Sequence, residues 1–161
     1  MNPSYFRIKL GKKDAIKRLT AWVGQAAKEQ IDTELTQAVP VSLDNAGQWK
    51  GDCLYMYENN GWTVFEDLSG GFSFMNVESW QEFAQNDPLV VAGYNDAVVC
   101  AELVVIENGA VVKNFVYCDD MPEDNINQGT AFNEIAHWAA VASFVDEDDL
   151  VYSDSGTVLI F

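Results

Sequence analysis

Residues 96–120, DAVVCAELVVIENGAVVKNFVYCDD, decide the fold class. Two apolar, β-branched runs, 97–106 and 111–117, flank Glu107-Asn108-Gly109. Asn-Gly tolerates the positive φ values of a two-residue hairpin turn, so the stretch predicts two antiparallel strands. The same signal recurs upstream, where CLYMYE and WTVFED flank Asn59-Asn60-Gly61. Further out, YFRIKL (5–10), PLVVAG (88–93) and the terminal GTVLIF predict single strands.

Three stretches carry helical spacing. Residues 12–30 repeat apolar positions at Ile16, Leu19, Val23, Ala26 and Ala27, with lysines on the other face. Residues 77–87 align Val77, Trp80, Phe83 and Ala84. Residues 130–144 start at Thr130, a suitable N-cap, and set Phe132, Ile135, Ala139 and Ala142 inward. The segment 32–50, with Pro40 and Gly47, predicts an irregular connection, and 122–130 a polar loop. Hairpins outnumber parallel crossovers. The expected architecture is therefore α+β: a mostly antiparallel sheet built from hairpins, with three packed helices, in a single domain over 1–161.

A chain of 161 residues with 48% hydrophobic and 21% charged side chains has enough apolar surface for a full core, which excludes a disordered class. Its apolar runs fall short of the ~20 residues a membrane helix needs. The first eighteen residues are basic without an apolar secretory core, so a cytoplasmic location is expected. Cys53, Cys100 and Cys118 lie in or beside strand-like runs and lack CxxC spacing, so three reduced, buried thiols are expected, not a zinc site.

The formal charge of −16 is unevenly placed. Residues 1–50, the basic N-terminal helical segment, hold eight basic side chains against five acids, a net +3. Residues 51–161, the acidic and sheet-rich part, hold only Lys113 against twenty acids, a net −19. Most of those carboxylates are expected at the surface, because an unpaired buried charge is costly. Such a field repels phosphate backbones and anionic lipid and attracts a basic protein.

Catalytic constellations are hard to find. His137 is the one histidine, and its Glu134-x-x-His137 spacing lacks the second copy that a di-metal bundle requires. No Gly-x-Ser-x-Gly elbow and no phosphate-binding glycine loop is present. Aligning Gly129 with the obligate glycine of an EF-hand puts Ile135 where a bidentate glutamate belongs. Neither a metal site nor a cofactor is expected. Glu66 and Asp67 could form a carboxylate pair of the glycosidase kind if both faced one cleft.

Aromatic and acidic residues occur together. Tyr55, Tyr57, Trp62 and Phe65 ride the first hairpin, and Glu66, Asp67, Phe72 and Phe74 follow it. Tyr94, Tyr117 and Tyr152 each lie within two residues of an acid. Aromatic anchors with charged neighbours suit a protein-binding surface.

The segments GWTVFEDLSG (61–70), AGYNDA (92–97) and SFVDEDD (143–149) resemble small acidic immunity proteins that accompany polymorphic or contact-dependent growth-inhibition toxins of bacteria. The likeness runs over residues 53–161. It implies a non-enzymatic inhibitor that binds a toxin domain. The charge then favours a basic nuclease as the toxin. Candidate contacts are Glu66 and Asp67, then Asp119, Asp120, Glu123 and Asp124, then Asp146, Glu147, Asp148 and Asp149. Two alternatives stand beside it: an acidic regulatory module with another basic partner, and a hydrolase built on carboxylates.

Overall fold

The computed structural model describes residues 3–148 and 155–161. Among these residues, nine strands form one antiparallel sheet: β1 (Ser4–Ile8), β2 (Lys28–Thr33), β3 (Cys53–Asn59), β4 (Trp62–Asp67), β5 (Leu89–Asn95), β6 (Cys100–Glu107), β7 (Ala110–Cys118), β8 (Ile126–Gly129) and β9 (Gly156–Ile160). Their order across the sheet is β2-β9-β3-β4-β1-β5-β6-β7-β8. Both Asn-Gly turns form as expected. Asn60 and Gly61 have φ of 49° and 81°, and Asn108 and Gly109 have 50° and 77°, the paired positive values of a tight hairpin turn.

Among the described residues, four α-helices cover the sheet: α1 (Lys12–Val23), α2 (Leu35–Ser42), α3 (Val77–Ala84) and α4 (Trp138–Glu147). One face buries Phe6, Phe65, Leu54, Val91 and Val104 against Ala15 and Leu19 of α1 and against Trp80 and Phe83 of α3. The other buries Tyr55, Tyr57, Ala92, Leu103 and Phe115 against Ala38 of α2 and Val141 of α4. Alternate residues of one strand thus enter different cores, which is why β3 and β6 read as largely apolar runs.

The α+β class holds, but the helices differ from the expected three. The first ends at Val23, because Gly24 turns to φ 96° while its N–H closes the last turn on Thr20 O at 3.0 Å. Residues 28–30, expected at the end of that helix, instead begin the edge strand Lys28–Thr33, which pairs with β9. The stretch 32–50 contains α2, which tolerates Pro40 because the helix is short and loses only the bond to the Thr36 carbonyl. The third expected helix starts eight residues late. His137, not Thr130, is the N-cap, its Nδ1 accepting from Ala139 N at 3.4 Å. Part of the polar loop is β8, paired with β7.

The reading of three reduced thiols is corrected. Cys100 and Cys118 oppose each other across β6 and β7, with Cα atoms 4.2 Å apart, and form a disulfide; Cys53 is the free, buried cysteine. Among the described residues, no helix is long and apolar enough to cross a membrane.

Candidate docking surface and carboxylate cleft

Strand register collects the acidic segments at one end of the sheet. Ser4 opens β1 opposite Gly93 near the close of β5, and Gly93 faces Glu102 near the start of β6. The turn 96–99, the loop 119–125 after β7 and the loop 68–76 after β4 all leave from this end. Asp119 N donates to Val99 O at 3.1 Å, which joins the first two. Tyr94 Oη donates to Asp146 at 3.3 Å, which adds the C-terminus of α4. Partial burial first, then the charges of Asp146 and Asp96, raises the Tyr94 phenol above its ordinary range.

Asp96, Asp119, Asp120, Glu123, Asp124, Asp146 and Glu147 are exposed there. Apolar side chains stand among them. Among the described residues, four of the six exposed large hydrophobics sit at this end: Val98 in the turn 96–99, Met121 in the acidic loop, and Trp49 and Phe74 beside a cleft. Lys9, Lys12 and Arg18 gather near the opposite end: Lys9 N bonds Pro88 O, Lys12 N bonds Glu58, and Arg18 caps Phe83 O and Ala84 O and pairs with Asp87. Three basic residues of the segment 1–50 thus stand away from the acidic rim, beside Glu58 and Asp87.

The cleft has a volume of about 480 Å³ and is lined by Ser4, Trp49, Asp67, Phe74, Tyr94 and Glu102, among others. Asp67, at the end of β4, shapes its wall by accepting from Gly70 N at 2.9 Å, Phe72 N at 2.8 Å and Ser73 Oγ at 3.2 Å. Burial raises its carboxyl despite those donors. Glu102 is 1% exposed. Its Oε1 accepts from Phe74 N at 2.9 Å, and its Oε2 is buried without a hydrogen-bond partner. Burial pushes this carboxyl up to about 7, opposed by the Phe74 amide and reinforced by the Asp67 charge. Glu102 therefore holds or releases a proton near neutrality, whereas the oxygens of Asp67 are taken up by structure.

No family model, no curated protein and no solved structure matches this chain.

The candidate contacts read from the sequence divide accordingly. Asp119, Asp120, Glu123, Asp124, Asp146 and Glu147 share one exposed rim. Asp149 lies outside the described residues, as does Tyr152. The expectation of surface placement is corrected for Glu66 and Asp67, which are 8% and 4% exposed. Glu66 faces one core, where Tyr57 Oη donates to it at 2.9 Å, while Asp67 turns to the loop on the other side. Successive strand residues point to opposite faces, so these two cannot flank one bond as a carboxylate pair. Asp148 turns inward to Tyr5 Oη and to Arg7, 3.1 Å away. Among the described residues, no group of three His, Cys, Asp or Glu could hold a metal ion.

Sequence reasoning passed over Glu102, Asp96, Trp49, Val98 and Met121. Glu102 did leave a signal: it is a lone acid at an inward position of an otherwise apolar run.

Proposed function

We propose that this chain is an immunity protein that binds and neutralises a cognate bacterial toxin domain, a basic nuclease, in the cytoplasm. The observation that carries the reading is the joint placement of exposed Val98, Met121, Trp49 and Phe74 with the carboxylate rim at one end of the sheet. Apolar anchors supply affinity once desolvated, and surrounding charge steers a basic partner and sets its orientation. A rim of carboxylates also presents the charge pattern of a nucleic-acid backbone, which is what would occupy a nuclease surface.

The test searches the neighbouring genes for a secreted-toxin gene and co-expresses its toxin domain with this chain. The native chain restores growth. The variant D119K/D120K/E123K/D124K, which touches only exposed positions, associates at least about tenfold more slowly at low salt. Full toxicity in the presence of the folded native chain overturns the reading. Unchanged association by the reversed variant removes the 119–124 loop from the interface. Capture of some other basic protein at this end, without neutralisation, would instead favour a regulatory module.

A further inference from the structure

We propose that the cleft beneath the 68–76 loop is a receptor for a guanidinium group, with Glu102 as its acceptor. Glu102 lines this cleft from β6 with Oε2 unpartnered, although the residue is 1% exposed. A buried carboxylate oxygen left without a donor is destabilising, and a ligand that supplies one recovers that loss. The remaining lining fits a planar cation. Trp49, Phe74 and Tyr94 bring aromatic side chains to the lining, and the hydroxyls of Ser4 and Ser73, hydrogen-bonded to each other at 3.0 Å, keep lone pairs that can accept.

A guanidinium suits this better than an ammonium. It is planar, stacks on aromatic rings, is less strongly hydrated and donates through a fixed fork. A metal ion fits poorly, since Asp67 already accepts from three donors and no third ligand of the usual kind stands nearby among the described residues.

The group can come from an arginine side chain of the docked partner or from a small guanidino compound. The first source rests on the proposed docking function; the cleft's chemistry does not.

The test titrates N-acetyl-argininamide at fixed ionic strength and follows the backbone amides of Phe74, Gly93 and Asn95 by NMR. The neutral isostere N-acetyl-citrullinamide is the control. Saturable shifts at these amides are expected, at least about tenfold weaker for citrulline and for E102Q. E102Q keeps the shape and the acceptor for the Phe74 amide, so it is expected to fold. W49A is a second variant that weakens the probe without touching the carboxylate.

Equal response to both compounds overturns the proposal. So do shifts confined to 119–124 and unaffected by E102Q, which would be charge attraction alone. If the probe binds and also competes with the toxin domain, the guanidinium is the partner's; if it binds without competing, the source is a small molecule. Neutralisation of toxin without probe binding rejects the cleft alone. Probe binding without neutralisation rejects the immunity reading alone.

Discussion

The amide of Phe74 donates to Oε1 of Glu102 at 2.9 Å, tying the 68–76 loop to the start of β6 through one oxygen of a carboxylate whose other oxygen is unpartnered. This relationship makes stability depend on pH in a definite direction.

Glu102 titrates at about 7 when folded, above its ordinary 4.5. Below the ordinary value both folded and unfolded chains hold the proton. Between it and about 7 only the folded chain does, so the group's stabilising contribution falls as pH rises through this window. The shift corresponds to a loss on the order of 3 kcal/mol by pH 8. Asp67, which faces Glu102 from β4, is raised by burial in the same direction. Urea unfolding at pH 5 and pH 8 checks this. E102Q should gain stability over the native chain at pH 8 and little at pH 5; equal gains at both would show that Glu102 titrates in its ordinary range.

Trp80 is fully buried and touches the aromatic rings of Phe6 (5.1 Å between centroids), Trp22 (5.3 Å) and Phe83 (6.4 Å) where α1 and α3 meet the sheet. Its Nε1 has no hydrogen-bond partner. Trp80→Ala leaves a large cavity and is expected to cost about 3–5 kcal/mol. Trp80→Phe keeps a ring and removes the unpaired donor, so a loss of less than about 1.5 kcal/mol is expected. Denaturant midpoints distinguish the two. A Phe variant as unstable as the Ala variant would mean that the indole N–H finds a partner in solution.

The contrast between hairpins and the rest follows from how local each signal is. The β3–β4 and β6–β7 units depend on strand runs and on Asn-Gly turns a few residues apart, and both were readable. The pairing of β2 with β9 joins residues more than a hundred positions apart, and the polar start of β2, residues 28–30, passes for the end of a helix. Pro40 hid α2, because a proline that breaks a long helix is tolerated in one of eight residues. The acidic character of the docking end was legible as charge in 119–124 and 146–147. Of the apolar anchors only Phe74 was. Trp49, Phe74, Val98 and Met121 come from four separate connections, and only the strand order brings them together.

Asp148 separates structural carboxylates from docking ones. Its side chain is 11% exposed, pairs with Arg7 at 3.1 Å and accepts from Tyr5 Oη. Arg7 in turn lies 4.8 Å from the centroid of the Trp62 ring. Asp148→Ala strands a largely buried guanidinium and is expected to cost about 3 kcal/mol. Burial, then the bond to Asp148 and its charge, raises the Tyr5 phenol. Partner association measured below the unfolding transition should stay within about threefold of native, unlike that of the 119–124 reversal. A variant of native stability and slow association would move Asp148 into the interface.

The Cys100–Cys118 link closes 18 residues of chain, and it sits where β7 leads into the acidic loop. A loop of this length restrains the unfolded chain by about 3 kcal/mol in the chain-entropy account. C100S/C118S, or reductant acting on the native chain, should therefore lower unfolding stability by that order. The sheet itself should persist, because β6 and β7 remain paired along their length and Cys118 N donates to Asn125 Oδ1 at 2.7 Å whatever the state of the sulfur. Amide exchange at 119–125 should quicken more than at 103–106, where strands flank β6 on both sides. If the chain acts in a reducing compartment, the reduced form is the working one. Under the proposed function, its affinity for the toxin domain should then stay within about threefold of the oxidised form. A midpoint indifferent to reductant would remove the link from the energetics of the fold, and loss of toxin binding on reduction would argue for an oxidising site of action.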